Sequence, residues 1–230
     1  MGLVRRVWAW RGRRQGGWPA VPVPVVVPAA PREADLDPLR FHLRQASPTT
    51  CGSASLLVAR MLADADYAGW VLHGYDERTG AASEEPLESR FAAAERTVKD
   101  RTNAVLGPTG LQPPWPHRFG TPPWGAANEM TRITGRRHRA RYVDPDSRDS
   151  RAAAFDAVVR TVAAGGTAPM FVGSASLPRH VVLAVGHDEE GVRLYEPASG
   201  QVVRLARAEW VDGGFRVAGW TVPWAVVVPS

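Results

Sequence analysis

In the N-terminal half of the chain, apolar residues recur mainly at the spacing of helices. The clearest run begins near Cys51, where a loop of Ser, Pro and Thr gives way to helix formers with apolar residues three or four positions apart. The same period predicts a helix over about residues 86–103 and shorter ones over about 126–134 and 151–163. Each of these helices should bury one face. The apolar positions of the first are Leu56, Leu57, Ala59, Met61 and Leu62.

In the C-terminal part of the chain, short apolar runs bounded by turn residues predict strands. The predicted strands cover about residues 168–172, 180–186, 192–196, 202–205 and 216–228, one earlier strand covers 137–143, and a short helix covers 206–211. Helices first and strands second are typical of an α+β fold. We therefore predict a helical half that carries Cys51 and packs on a mostly antiparallel C-terminal sheet.

Residues 1–35 differ from the rest of the chain, since arginines and tryptophans are followed by the segment PAVPVPVVVPAAP. Its prolines prevent the continuous apolar helix that a signal peptide needs, so the cytoplasm is the favoured location and export the minority interpretation. We predict an extended Pro/Arg-rich arm over residues 1–35, either free or laid on the surface, and a single domain over 36–230. The prolines are Pro19, Pro22, Pro24 and Pro28.

A second proline-rich stretch, residues 107–125, carries the aromatic residues Trp115, Phe119 and Trp124. Its prolines remove backbone donors and restrict the preceding residues, which predicts an irregular loop. An aromatic loop of this length is either a packed surface loop or one wall of a substrate groove.

Composition narrows the functional classes. The 230 residues are 44% hydrophobic, enough for one sizeable core, and no apolar run is long enough to span a bilayer. The net charge of +5 comes almost entirely from arginine, clustered near the N-terminus and at residues 136–141. Because no nucleic-acid-binding motif accompanies these clusters, we predict no nucleic-acid partner. The single cysteine excludes an internal disulfide and fits a reducing compartment.

Cys51 is the first candidate for chemistry, because it falls where a helix should begin. Unpaired backbone N–H groups and the helix dipole favour a thiolate at that place, and the thiolate is the nucleophilic form. Six residues earlier, Gln45 offers a side-chain amide that could join the Cys51 backbone N–H as an oxyanion hole. On position and residue type alone, a nucleophile and a small buried core residue are equally good interpretations of Cys51.

Two downstream residues favour the interpretation of Cys51 as a nucleophile. His180 opens one predicted strand and Glu196 ends the next, so base and orienting acid can meet at one edge of a sheet. Among the other five histidines, His187 is the strongest competitor, but it lies beside a turn and should be exposed. We predict no metal and no cofactor, because the chain has neither zinc-ligand spacing nor a glycine-rich phosphate loop.

Four short motifs in this order resemble those of the papain-like cysteine peptidases, and most closely the bacterial double-glycine branch that processes bacteriocin leaders. They are Gln45, the pair Cys51-Gly52, His180 followed by Val-Val-Leu-Ala-Val-Gly, and Glu196-Pro197. The resemblance covers about residues 40–210. Thr50 stands where that branch usually has an acid, and Glu196 stands where it usually has aspartate.

The resemblance implies a papain-like fold for residues 36–230 and cleavage of peptide or protein substrates. Cys51 would be the nucleophile, His180 the base, Gln45 an oxyanion donor and Glu196 the residue that orients His180. Two other functions remain open. One is an acyltransferase on the same scaffold, in which an amine or thiol replaces water, and the other is an inactive peptide-binding module.

Overall fold

The computed structural model describes residues 3–15, 18, 34–107 and 110–230, which form seven α-helices and a six-stranded sheet. The helices are α1 (Leu3–Arg14), α2 (Cys51–Ala63), α3 (Ala65–His73), α4 (Leu87–Asn103), α5 (Pro123–Thr134), α6 (Arg148–Ala163) and α7 (Arg207–Asp212). The strands of the sheet are β1 (His138–Tyr142), β2 (Ala168–Gly173), β3 (Pro178–Asp188), β4 (Gly191–Glu196), β5 (Gln201–Leu205) and β6 (Val222–Pro229).

The six strands lie in the order β1-β6-β2-β3-β4-β5, and every neighbouring pair is antiparallel. Strands β2 to β5 follow one another through short connections, whereas β6 is inserted between β1 and β2. Helices precede most of the strands along the chain, so the predicted α+β class is confirmed.

Both faces of the sheet are covered. On one face Val181 and Leu183 of β3 pack in a core cluster with residues of α2, including Leu56 and Leu57. Val182, the residue between them, faces the cluster built around α6 on the other side. Because successive side chains of a strand point to opposite faces, β3 needs apolar residues at consecutive positions.

The N-terminal arm requires a correction, because residues 3–14 are helical and not extended. Pro19 is the first proline of the chain, so nothing before it interrupts a helix. Trp8 is buried against Tyr142 of β1 and Trp224 of β6, with edge-on ring contacts of 4.9 and 5.4 Å. Residues 16–17 and 19–33, which include the Pro-rich segment, lie outside the described residues.

Two other boundaries differ from the sequence predictions. The loop predicted over 107–125 gives way to α5 at Pro123. Proline is well tolerated in the first turn of a helix, where the N–H it lacks would have no partner. The strand predicted from residue 216 begins at Val222, because Val217 pairs with Trp220 across a turn in which Gly219 has a φ of 82°.

Candidate active site

Cys51 is the first residue of α2, and α2 is fixed against the strand that carries His180. The Ser55 hydroxyl, one turn along the helix, donates to the carbonyl oxygen of Val181 in β3 at 3.2 Å. Gly52 touches the loop before α5 so closely that an added Cβ would lie 2.6 Å from Cβ of Thr121. These contacts set the Cys51 side chain at the end of the sheet where β3 begins.

His180 and Glu196 meet because β3 and β4 are antiparallel neighbours. His180 lies near the start of β3 and Glu196 ends β4, and the His180 Nε2 is 2.7 Å from the Glu196 Oε1. Both side chains are buried. The contact therefore combines a hydrogen bond with an ion pair, shielded from water.

The Glu196 carboxylate is also held by the turn that follows its own strand. The backbone N–H groups of Ala198 and Ser199 each donate to it at 2.8 Å. Burial alone would raise the pKa of Glu196, but the hydrogen bonds from His180, Ala198 and Ser199 outweigh it and lower the pKa to about 2. The carboxylate is thus ionised at neutral pH.

Cys51 and His180 lie together in the same small cavity and interact. Burial would lower the pKa of His180, but its interactions with the Cys51 sulfur and the Glu196 carboxylate raise that pKa to about 9. Because Nε2 faces Glu196, Nδ1 is the ring nitrogen left for Cys51. The structure therefore brings Cys51, His180 and Glu196 together at one end of the sheet, and His180 interacts with both of the others.

The cavity beside Cys51 and His180 has a volume of about 20 Å³, roughly the room of one water molecule. Trp115 and Phe119 from the proline-rich loop form one side of its wall. Trp124 stands behind them, with its ring centroid 5.3 Å from that of Trp115 and its indole N–H donating to the Pro113 carbonyl at 3.2 Å. Two of the three predicted groove aromatics thus line the cavity, and the third packs on Trp115.

Gln45 is tied to the same end of the sheet by its backbone, whose N–H donates to the carbonyl oxygen of Pro197 at 2.8 Å. Its side chain points elsewhere: Nε2 donates to the Ser47 carbonyl at 2.6 Å. Within the described residues, the buried Oε1 has no hydrogen-bond partner. The amide therefore has to turn away from Ser47 before it can serve as an oxyanion donor.

The remaining histidines do not compete for the position beside Cys51. His42, His73, His117 and His187 are exposed. His138 is buried at the end of β1, where its Nδ1 lies 2.8 Å from the Arg136 carbonyl and burial lowers its pKa. His180 is thus the histidine placed to act with Cys51.

Sequence reasoning missed Glu95, a fully buried acid of α4 that bonds to the loop preceding Cys51. The signal was present, since Glu95 follows Phe91 by four residues and precedes Val98 by three, on the predicted apolar face of its helix. A charged residue at such a position must have a partner inside the protein.

A scan of the chain against known protein families and a search of curated proteins both return no match. Across the described parts of the chain, no helix combines the length and apolar character that a bilayer crossing requires. Nor do three or more His, Cys, Asp or Glu side chains cluster there as metal ligands would. What the fold and the site define is an α+β protein with a buried Cys–His–Glu arrangement at the end of an antiparallel sheet.

Proposed function

We propose that this protein is a cysteine-dependent hydrolase of the papain-like class that cleaves a peptide or amide bond. The observation that carries the proposal is the contact of His180 with Cys51 on one side and with Glu196 on the other. An imidazole between a thiol and an ionised carboxylate can hold a proton beside a thiolate and later deliver it. The motif resemblance supports the same function.

In the first half of the reaction, the Cys51 thiolate attacks the substrate carbonyl and forms a C–S bond. The carbonyl oxygen becomes an oxyanion that accepts from the Cys51 backbone N–H and from the Gln45 amide once this has turned away from Ser47. His180 gives its proton to the leaving nitrogen, the C–N bond breaks, and a thioester remains on Cys51.

In the second half, neutral His180 takes a proton from water as the water oxygen attacks the thioester carbonyl. The C–S bond then breaks, the acid product leaves, and the thiolate and imidazolium are restored. Glu196 stays ionised throughout, orients the His180 ring and stabilises its cationic form.

The substrate is proposed to be a peptide or protein segment that lies across the mouth of the cavity, against Trp115 and the 44% exposed Phe119, because the cavity itself has room for about one water molecule. The cytoplasm is the proposed location, since an attacking thiolate must remain reduced.

The test is labelling with a peptide acyloxymethyl ketone, followed by mapping of the modified residue. We expect the label on Cys51 in the folded protein, and we expect none in Cys51→Ser or after heat denaturation, because labelling needs both the sulfur and the His180 contact. If the folded protein were labelled no faster than the denatured one, the inactive peptide-binding module would replace this proposal.

Hydrolysis and acyl transfer are separated by their products. Cleavage of an internally quenched peptide library in ¹⁸O-water should leave one heavy oxygen in the new carboxyl group, with Cys51→Ala as the inactive control. Without ¹⁸O incorporation, transfer of the acyl group to an added amine would make the protein an acyltransferase.

A further inference from the structure

Glu95 stands out as a buried carboxylate outside the Cys–His–Glu arrangement. It lies on α4 with 0% of its surface exposed, on the face that packs into the core with Phe91 and Val98. Burying an ionised carboxylate costs free energy unless the carboxylate is hydrogen-bonded, and a mutation that removes one of its partners lowers the stability of the fold. The Glu95 carboxylate therefore holds its hydrogen-bond donors in place.

Those groups belong to the loop of residues 45–50, which joins Gln45 to the nucleophile helix. The backbone N–H of Ala46 donates to Oε2 of Glu95 at 3.0 Å and lies 3.3 Å from Oε1. The Thr50 hydroxyl has a single proton and two acceptors within reach, the Ser47 carbonyl at 2.9 Å and the Glu95 carboxylate. One side chain thus contacts the residue after Gln45 and the residue before Cys51.

A second residue of α4 supports the same loop. Lys99, one turn after Glu95 and the only lysine of the chain, donates from Nζ to the Thr49 hydroxyl at 2.8 Å. By contrast, α2 is anchored independently of the loop, through Ser55 and the apolar core. Loosening the loop should therefore disturb the oxyanion side of the site more than the position of the Cys51 sulfur.

We propose that Glu95 is a positioning residue that holds both ends of the 45–50 loop, and thereby fixes the Cys51 backbone N–H and the backbone from which the Gln45 amide turns towards a substrate oxyanion. The inference rests on the proposed function, because it assigns Glu95 to the oxyanion side of that site. Glu95 acts through the loop and touches neither Cys51 nor His180.

The surroundings of Glu95 make its effect dependent on pH. Burial raises the pKa of Glu95, and the Ala46 N–H, the Thr50 hydroxyl and the charges of Lys99 and Arg96 on its own helix only partly offset this. On the side of the sheet, Tyr195 of β4 lies within electrostatic range of Glu95. When Glu95 takes up a proton on acidification, one of its oxygens becomes a donor and the loop loses part of its hold. Hydrolysis should then fall while Cys51 is still reactive.

The test compares Glu95→Gln and Thr50→Val with Glu129→Gln. Glu129 is a matched control, since it is a buried acid paired at 2.7 Å with Arg101 and Arg132, away from the 45–50 loop. Two rates are measured from pH 4 to 9 at a temperature where each variant is folded. One is alkylation of Cys51 by iodoacetamide, which needs no oxyanion hole, and the other is hydrolysis of the internally quenched peptide library.

We expect hydrolysis to fall about tenfold or more in Glu95→Gln and in Thr50→Val, mainly in kcat, as loss of oxyanion stabilisation does. Alkylation should stay within about twofold, and the acid decline of hydrolysis that belongs to Glu95 should be absent from Glu95→Gln. Glu129→Gln should melt at a lower temperature but leave both rates and the acid decline unchanged.

The inference is overturned if Glu95→Gln hydrolyses the library within about twofold of the wild type, or if hydrolysis and alkylation fall together. Should Glu95→Gln fail to fold, Thr50→Val decides by the same criteria. A wild-type protein that hydrolyses nothing overturns the proposed function itself, whereas hydrolysis that is insensitive to Glu95 overturns only this inference.

Discussion

At the scale of single residues, Glu196 shows how a carboxylate of the site stays ionised inside the protein. Its carboxylate accepts from the His180 ring and from two backbone N–H groups, so its negative charge is stabilised without bulk water. Glutamate has one methylene more than aspartate, and the turn after β4 folds back onto the carboxylate. Glu196 is the last residue of β4, and from that position its side chain reaches the His180 ring.

Glu196→Gln should lower turnover about tenfold or more while leaving the fold intact, because the amide keeps the shape but loses the charge. Without the negative charge the pKa of His180 falls from about 9, so the decline of activity on the alkaline side should begin at a lower pH. The measurement is kcat/KM against pH. Glu189→Gln, at an exposed position in the turn before β4, is the control. Unchanged kcat/KM and pH profile in Glu196→Gln would make Glu196 a structural residue only.

Gly52 is a second residue with a sharp expectation. In Gly52→Ala the new Cβ would lie 2.6 Å from Cβ of Thr121, so α2 or the Thr121 loop must shift. We expect a loss of about 1–3 kcal/mol in the free energy of unfolding, the usual cost of overpacking, and slower alkylation of Cys51. Urea unfolding tests this. Gly214→Ala is the control, because its Cβ would meet no atom within 4 Å. Equal stability of the two variants would contradict the expectation.

At the scale of elements, α1 is an integral part of the fold. Besides burying Trp8, it pairs Arg5 with Asp146 and Arg13 with Asp144, and the Gln15 side chain bonds to both backbone groups of Tyr142. Strand β1 lies at the edge of the sheet, where unpaired backbone groups invite other chains. Contacts from α1 protect part of that strand.

Trp8→Ala should therefore destabilise the protein by about 3 kcal/mol, near the lower end for truncation of a buried aromatic residue. For a chain of this size that corresponds to a drop in Tm of roughly 6–12 °C. Trp10→Ala is the control on the same helix, because Trp10 is 48% exposed. Deletion of residues 1–31 should likewise lower Tm by more than about 5 °C. If Trp8→Ala and Trp10→Ala have the same Tm, α1 does not contribute to stability through Trp8.

At the scale of the whole molecule, the buried charges of the site tie folding stability to pH. The pKa of Glu196 is lower in the folded state, so its stabilisation is present above its unfolded pKa and is lost as pH falls towards about 2. The pKa of His180 is higher in the folded state, so its stabilisation is present below the unfolded value near 6.5 and is lost as pH rises through about 9. Glu95, whose pKa burial raises, opposes Glu196 in acid.

We therefore expect Tm to be highest between about pH 4.5 and 6.5 and to fall on the alkaline side as far as about pH 9. Differential scanning fluorimetry across this range is the measurement. In His180→Gln the alkaline decline should be reduced, because the group that loses its proton is gone. An alkaline decline of the same size in His180→Gln would assign it to other groups.

Local pattern in the sequence was enough to predict the α+β class, the start of α2 at Cys51 and the strands on which His180 and Glu196 lie. These features depend on the spacing of buried and exposed residues, and that spacing is visible within a short stretch of sequence. The closing strand was placed too early because a bend at Gly219 leaves an apolar pattern unchanged.

Only the tertiary structure decided the rest. The prolines after residue 18 led to the prediction of an extended arm, whereas residues 3–14 form a helix. This helix packs Trp8 on β1 and β6, and a contact between such distant segments cannot be predicted from local sequence. The direction of the Gln45 amide and the bond from Ala46 to Glu95 depend on how a loop meets a helix 49 residues further along the chain. The sequence by itself determined which elements form and which residues could do chemistry; packing between distant segments decided which of those residues touch.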